Sequence, residues 1–183
     1  MREASGSYLL VPGAHDAPVE EAFTCGPDGD GWRWRAVRRD PATGAVLGRL
    51  VLHVDAAGST VRLHAEHGGW TLRGGCVGAS VLWRRGDDEH ETVADGWSGS
   101  SPGHAAATVH RLEEQGVPVG ESQRLRLVEV TEPVLAVRTV DTSWTRTAAD
   151  RWRVVDLATG GFRELVVRDR LVVAGTGLTL TQG

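Results

Sequence analysis

The chain has 183 residues, 40% of them apolar and 24% charged, a composition typical of one globular domain and unlike that of a disordered or fibrous protein. All 20 basic residues are arginine, which excludes mechanisms that need a lysine Schiff base or the lysine of a phosphate-binding P-loop. The net charge of −4 argues against nucleic acid as a main partner, because binding to phosphates requires an excess of positive charge.

No apolar run approaches the ~20 residues that span a bilayer, and the first residues contain no apolar stretch of signal-peptide length. We therefore expect a cytoplasmic protein without a membrane span. Cys25 and Cys76 belong to no Cys-x-x-Cys motif and have no Cys/His cluster around them. The expectation is a pair of reduced thiols, with no metal and no cofactor.

The first half of the chain consists of short alternating segments separated by Gly and Asp turns, a pattern typical of antiparallel strands. Strands are predicted over residues 32–37, 46–55, 60–66, 70–73 and 79–84. In the hairpin formed by residues 46–66, apolar side chains share one face and charged ones the other. This hairpin is predicted to have one buried face and one solvated face.

A single helix is predicted after residues 87–103, the least strand-like part of the sequence. Ser101 provides an N-cap, Pro102 occupies the first helical position, and Gly116 ends the pattern. The helix is expected over about residues 102–115.

The second half returns to strands, predicted over residues 124–130, 134–140, 143–147, 151–157, 162–168, 171–173 and 178–180. With about twelve strands and one helix, the fold class is mainly β, an antiparallel β-roll or open barrel. Residues 1–183 are expected to form a single domain, with similar halves at about 30–86 and 120–183. Residues 34–44 and 152–160 share the order Trp-Arg, Asp and Ala-Thr-Gly, which indicates either a duplication or simply a favourable hairpin turn.

Gly99-Ser100-Ser101-Pro102-Gly103 fits the GxSxG pattern of a hydrolase nucleophile elbow. The residue after that serine must donate its backbone N–H to the oxyanion, and proline has no N–H. We therefore interpret Ser101 as a helix cap. His53 and Asp55 imitate part of an iron-binding triad, but their position on the polar hairpin face favours a surface pair.

Seven tryptophans accompany only two phenylalanines and one tyrosine, so nearly all aromatic volume is indole. Indoles suit the wall of a cavity for an apolar molecule with a polar head, although most of them equally suit the core of the sheet. The candidate ligand-binding indoles are Trp32, Trp34, Trp70, Trp83 and Trp152.

Three charged residues fall in register with apolar ones in the predicted strands: Glu129, Arg138 and Asp156. Inside a roll they would form either a buried ion pair or the polar end of a ligand site, and Arg138 is the candidate contact to a ligand. The alternative is ordinary exposure at the strand ends.

The segment Val81-Leu82-Trp83-Arg84-Arg85, followed by Asp95-Gly96-Trp97, resembles elements of bacterial glycolipid-binding proteins, which are related to the β-roll lipoprotein carriers. The resemblance implies a single roll with an apolar concavity for a lipid-like molecule. It carries over no active-site residue.

Two functions follow as hypotheses. The first is binding of a hydrophobic or amphipathic small molecule in the roll, with arginines at the rim. The alternative is an isomerase or cyclase in which Glu129 or Asp156, with a raised pKa, moves a proton. A purely structural domain would have no cavity.

Overall fold

A computed structural model of the chain describes residues 3–11 and 17–182, which form fifteen strands and one helix. The first eight strands are β1 (Ala4–Leu10), β2 (Val19–Asp28), β3 (Gly31–Arg39), β4 (Val46–Val54), β5 (Thr60–His67), β6 (Trp70–Val77), β7 (Ser80–Arg85) and β8 (Asp88–Val93). Then follow β9 (Gly96–Gly99), helix α1 (Pro102–Glu114), β10 (Ser122–Thr131), β11 (Ala136–Ala148), β12 (Arg151–Asp156), β13 (Phe162–Arg168), β14 (Leu171–Gly175) and β15 (Leu178–Gln182).

All fifteen strands belong to one sheet, in the order β8-β7-β6-β5-β4-β3-β2-β1-β15-β14-β13-β12-β11-β10-β9. Every neighbouring pair is antiparallel except β9 and β10. The two terminal strands, β8 and β9, are consecutive in the chain but do not pair, so the sheet is an open β-roll. The predicted fold class is confirmed, with fifteen strands in place of about twelve.

The region that the sequence pattern marked as least strand-like contains two strands, β8 and β9. Strand β8 is almost wholly exposed, and half of its side chains are acidic. It is held by backbone pairing to β7 and by the stacking of His90 on Trp83, with ring centroids 5.3 Å apart. Acidic side chains on a terminal strand also discourage pairing with another chain.

Helix α1 begins and ends where the capping signals predicted. The Ser101 hydroxyl accepts a hydrogen bond from the backbone N–H of Gly103 at 3.3 Å, and Pro102 is the first helical residue. Gly116, with φ of 72°, follows the C-cap and accommodates the left-handed turn that ends the helix.

The helix lies inside the roll. Residues 102–110 are all buried, and the helix contacts β4, β9 and β14, which belong to three separate parts of the sheet. Four indoles, those of Trp32, Trp34, Trp144 and Trp152, are at most 1% exposed. The helix and these buried indoles occupy the interior of the roll, where the sequence had predicted an apolar hollow.

The repeated Asp and Ala-Thr-Gly pattern forms the same hairpin turn twice. Asp40 Oδ1 accepts from the backbone N–H groups of Ala42 and Thr43 at 2.8 and 3.3 Å. Asp156 Oδ1 accepts from the corresponding groups of Ala158 and Thr159 at 2.8 and 2.9 Å. The two turns share the same chemistry, which a duplication and a favourable hairpin sequence would both produce.

Over the described ranges, we find no helix of the length and apolar character needed to cross a membrane.

The close approach of helix α1 to β3 leads to a first prediction. Replacing a helical glycine by alanine normally stabilises a protein by about 1 kcal/mol. A Cβ at Gly103 would lie 2.8 Å from atoms of the buried Trp34 ring, so we expect Gly103→Ala to destabilise the fold instead, by about 1–3 kcal/mol in urea unfolding. Gly26→Ala, whose Cβ would meet its nearest atom at 3.5 Å, is the control and should have little effect. A stabilised Gly103→Ala protein would contradict the packing described here.

Candidate functional site

The N-terminal end of helix α1 is surrounded by a buried network of charged side chains centred on Arg38. Arg38 lies on β3 and is only 4% exposed. Its Nε donates to Glu21 Oε2 at 2.8 Å, and one of its terminal N–H groups donates to Ser100 Oγ at 2.8 Å and to Glu132. One guanidinium thus joins β3, β2, the segment before the helix and the β10–β11 turn.

Glu21 is the fully buried partner in this network. Its second carboxylate oxygen accepts a hydrogen bond from the Ser101 hydroxyl at 2.6 Å. Ser101 also caps the helix, so its hydroxyl makes one hydrogen bond to the helix backbone and one to Glu21. The interpretation of Ser101 as a helix cap is confirmed.

A small inner cavity of about 20 Å³ opens beside this network. Its polar side is formed by Arg38, Ser100, Ser101, His104 and Glu132, and its apolar side includes Leu50, Leu63 and Leu135. Leu135 adopts a φ of 50°, unusual for a residue with a side chain, and is 1% exposed. A polar cavity of this volume accommodates about one water molecule or one polar ligand atom.

His104 is the titratable group most altered by its surroundings at this site. Burial, followed by the positive charges of Arg38 and Arg163, lowers the pKa of His104 to about 3. The imidazole is therefore neutral near pH 7. Its Nδ1 is buried and has no hydrogen-bond partner among the described residues.

An outer groove of about 480 Å³ lies at the surface next to the inner cavity. The two hollows share Arg49, and His67 of the groove lies with its Nδ1 3.6 Å from Glu132 Oε1. The indole of Trp70, also in the groove wall, is 42% exposed, and the guanidinium of Arg85 lies 3.9 Å from its ring centroid. Other groove residues are Val46, Leu47, Gly68, Thr71 and Pro133.

A larger hollow, of about 640 Å³, lies where strands β8 and β9 meet. Its charged side chains are already paired with one another: Arg111 with Asp95 at 3.4 Å, and Arg126 with Asp141 at 2.9 Å. Among the described residues that line it, no charged side chain is left without an ion-pair partner.

The structure distributes the predicted indoles between the core and the surface. Trp32 donates to His110 Nδ1 at 3.1 Å, Trp34 stacks on Phe23 with centroids 4.5 Å apart, and Trp152 is fully buried. These three are core residues. Trp83 is half-buried on β7 beside the terminal strand, which leaves Trp70 as the predicted indole at the groove.

Glu129 and Arg138 do meet, at the exposed end of the roll. Arg138 donates to the Glu129 carboxylate at 2.6 Å, and its side chain is 65% exposed. The hydrogen bond to Glu129 is the main cause of the raised pKa of Arg138, and the charge of Asp156 adds to it. Hydrogen bonds from Thr159 and Ala158 lower the pKa of Asp156 itself. This direction is opposite to the raised pKa that a general acid requires.

Sequence reasoning missed Glu21 and Arg38, although a usable signal was present. Arg38 alternates with Trp34 and Ala36, and Glu21 with Phe23, so both fall in register with apolar residues. The criterion that selected Glu129 would have found them only if strands had been predicted over β2 and to the end of β3, and neither residue fell in a predicted strand. Glu132 lies beyond the end of β10 and carried no such signal. Across residues 3–11 and 17–182, no group of three or more His, Cys, Asp or Glu side chains is placed to hold a metal ion.

No protein-family model matches the chain, and no curated protein matches its sequence. A solved structure does resemble it: a DUF1089 family protein from Pseudomonas aeruginosa. The TM-score is 0.56 at 19% identity, over 95% of this chain and 89% of that one. At this identity the likeness establishes the shared β-rich fold.

Because Arg38 is buried and Arg138 is exposed, we expect replacement of these two arginines to change the free energy of unfolding by different amounts. Arg38→Met would leave the Glu21 carboxylate buried without a cation, and we expect a loss of about 3–5 kcal/mol in the free energy of unfolding. The matched control is Arg138→Met, which breaks an exposed ion pair and should change stability little. Recovery of stability in the double variant Arg38→Met/Glu21→Gln would confirm the cause. Equal effects of Arg38→Met and Arg138→Met would contradict it.

The lowered pKa of His104 predicts that the free energy of unfolding depends on pH. Its pKa is about 3 when folded and 6.5 in the reference state, so the unfolded chain takes up the proton first as the pH falls. The contribution of neutral His104 is complete above pH ~6.5 and is lost progressively toward pH ~3. Urea unfolding across this window should show a smaller pH dependence for His104→Gln than for the exposed control His90→Gln. Identical pH profiles for the two variants would refute the assignment.

Proposed function

We propose that the protein binds an amphipathic small molecule at the outer groove, with its polar head directed toward Glu132 and the inner cavity. The observation that carries this proposal is that the two hollows adjoin each other. They share Arg49, and His67 and Glu132 lie at their junction. A surface site with an apolar wall and a buried polar end matches the two parts of such a molecule.

The sizes of the two hollows indicate where the apolar body and the polar head of the ligand would lie. The groove volume of about 480 Å³ lies within the range of roughly 300–1,000 Å³ found for small-molecule sites. The inner cavity, at about 20 Å³, is too small for more than a terminal polar group. The apolar body would therefore lie along the groove and not inside the roll.

The side chains of the groove provide suitable contacts. Trp70 presents an indole with 42% of its surface exposed, and Val46 is 46% exposed. Covering these surfaces would remove apolar area from water at about 25 cal/mol per Å². Because Arg85 stacks on Trp70 and also donates to Val134 O at 2.9 Å, the indole is held in place before a ligand arrives.

The polar end favours a head group that carries hydroxyls. Glu132 offers a carboxylate acceptor, Ser100 a hydroxyl and His67 an imidazole, so a group that both donates and accepts hydrogen bonds fits them best. A sugar head on an apolar chain meets this requirement, and it is the ligand class implied by the resemblance to glycolipid-binding proteins.

The proposal predicts how single side chains affect binding of a defined probe, monomeric dodecyl maltoside, measured by isothermal titration calorimetry. Trp70→Ala should weaken binding about tenfold, because the chain loses its largest apolar contact. Phe162→Ala is the control, since Phe162 is 57% exposed but lies outside the groove. Absence of binding to the native protein, or equal losses in the two variants, would refute the proposal.

A further inference from the structure

We infer that the outer surface of strands β3–β6 docks on a lipid bilayer that carries anionic head groups. Five arginines occupy outward positions on these four strands, and we call this surface the arginine face: Arg33, Arg35, Arg49, Arg62 and Arg73. Four of them are exposed, and the side chain of Arg33 is 33% exposed. The inference goes beyond the proposed function, because it names a partner for the outside of the roll.

The alternation of each strand places these arginines on the outside. Arg35 lies between the buried residues Trp34 and Ala36, and Arg62 immediately precedes the buried Leu63. Successive side chains of a strand point to opposite faces of the sheet. Because the buried neighbours face the interior of the roll, the arginines face away from it.

Strand pairing concentrates the positive charge. Arg73 on β6 lies directly opposite Arg84 on β7, and its other neighbour, on β5, is His64. Like charges directly opposite each other destabilise a sheet, so folding alone does not favour this pairing. Neighbouring strands are about 4.8 Å apart, and the four strands therefore spread the arginines over about 14 Å. Such a spread suits a surface with many anionic groups better than a single small ion.

The carboxylates around the arginine face are fewer than its arginines and lie toward its edges. Glu66, opposite Arg49, is the acidic residue among the outward positions that the strand pairing defines on β3–β6. Glu3 and Asp28 border the face on the side of β2, where Asp28 lies 3.6 Å from Arg33. Five arginines against these three carboxylates leave a charge of +2, whereas the whole chain carries −4.

The positive surface ends at β7 and β8. Arg84 donates to Asp87 at 3.0 Å, and β8 carries further acidic side chains. Because the sheet twists and curls into a roll, its outer surface is convex, and these strands curve away from a plane that touches the arginine face. A planar partner would therefore meet the arginines before it meets the acidic strands.

One edge of the arginine face favours a lipid surface over an acidic protein or a nucleic acid. Arg49 and Glu66 also line the outer groove, where the indole of Trp70 is 42% exposed and Val46 is 46% exposed. Tryptophan is enriched at the level of lipid head groups, and arginines near anionic head groups strengthen attachment to the membrane. Cationic and apolar groups thus adjoin each other, as they do in proteins that bind at the interface between lipid and water.

Docking on the arginine face would bring the mouth of the outer groove to the level of the head groups. The polar head of a membrane amphiphile lies at this level. The supply of a ligand from the bilayer rests on the proposed function, whereas the docking itself depends only on the arginine face and its apolar edge.

The test is co-sedimentation of the full-length protein with vesicles of phosphatidylcholine, with and without phosphatidylserine, at low ionic strength. We expect the native protein to bind the vesicles with phosphatidylserine at least tenfold more tightly, and added salt to weaken this binding. The variant Arg35→Gln/Arg62→Gln/Arg73→Gln should bind the same vesicles at least tenfold more weakly than the native protein, because three cations near the lipid surface are lost.

The matched control is Arg124→Gln/Arg151→Gln/Arg153→Gln, which removes the same charge from exposed positions on β10 and β12. Its binding should stay close to that of the native protein. Equal losses in the two triple variants, or equal binding of the native protein to both kinds of vesicle, would overturn the inference. If the first triple variant does not fold, Arg73→Gln replaces it, and unchanged binding of that variant would also overturn the inference.

Two further measurements separate the alternatives. Tighter binding to a DNA duplex or to polyglutamate than to anionic vesicles would overturn the choice of a lipid partner. Arg35, Arg62 and Arg73 do not line the groove, so their triple variant should keep its affinity for dodecyl maltoside. A native protein that binds dodecyl maltoside but not anionic vesicles would overturn the docking alone. The converse result would refute the groove proposal alone.

Discussion

The buried guanidinium of Arg38 is the contact on which the arrangement of the site depends. It binds Glu21 and Glu132 and donates to Ser100, so side chains from distant parts of the chain are fixed around one planar cation. Glu21 extends the network to the Ser101 helix cap. A buried ion pair adds little stability compared with apolar packing, but removing one partner strongly lowers the free energy of unfolding. Its main effect here is to set where the helix begins relative to the sheet, and hence where the inner cavity lies.

The second constraint is the helix inside the roll. A fifteen-stranded curved sheet encloses more space than its own side chains fill, and α1 occupies that space together with the indoles of the core. Trp34 packs so closely on Gly103 that the helix cannot shift toward β3. A ligand is therefore expected at the surface of this protein, where the outer groove reaches the polar network, and not at the centre of the roll.

Local signals in the sequence predicted the local structure well. Ser101, Pro102 and Gly116 predicted both ends of the helix, and alternation predicted the hairpin formed by β4 and β5. Strand β8 was missed because its stability comes from pairing with β7, which an acidic, exposed segment does not reveal. The filled interior was also beyond prediction, since no pattern shows whether a helix packs inside a sheet or outside it. Of the site, Trp70 was anticipated, whereas Glu132 gains its role only from the way the β10–β11 turn folds back on Arg38.

We propose that a ligand binds in the outer groove, outside the filled roll. The most direct measurement is a crystal structure of the protein with bound dodecyl maltoside. We expect the alkyl chain along Val46 and Trp70, the sugar beside His67 and Glu132, and helix α1 in an unchanged position. Density for the alkyl chain inside the roll with α1 displaced, or no density in the groove at saturating ligand, would contradict it.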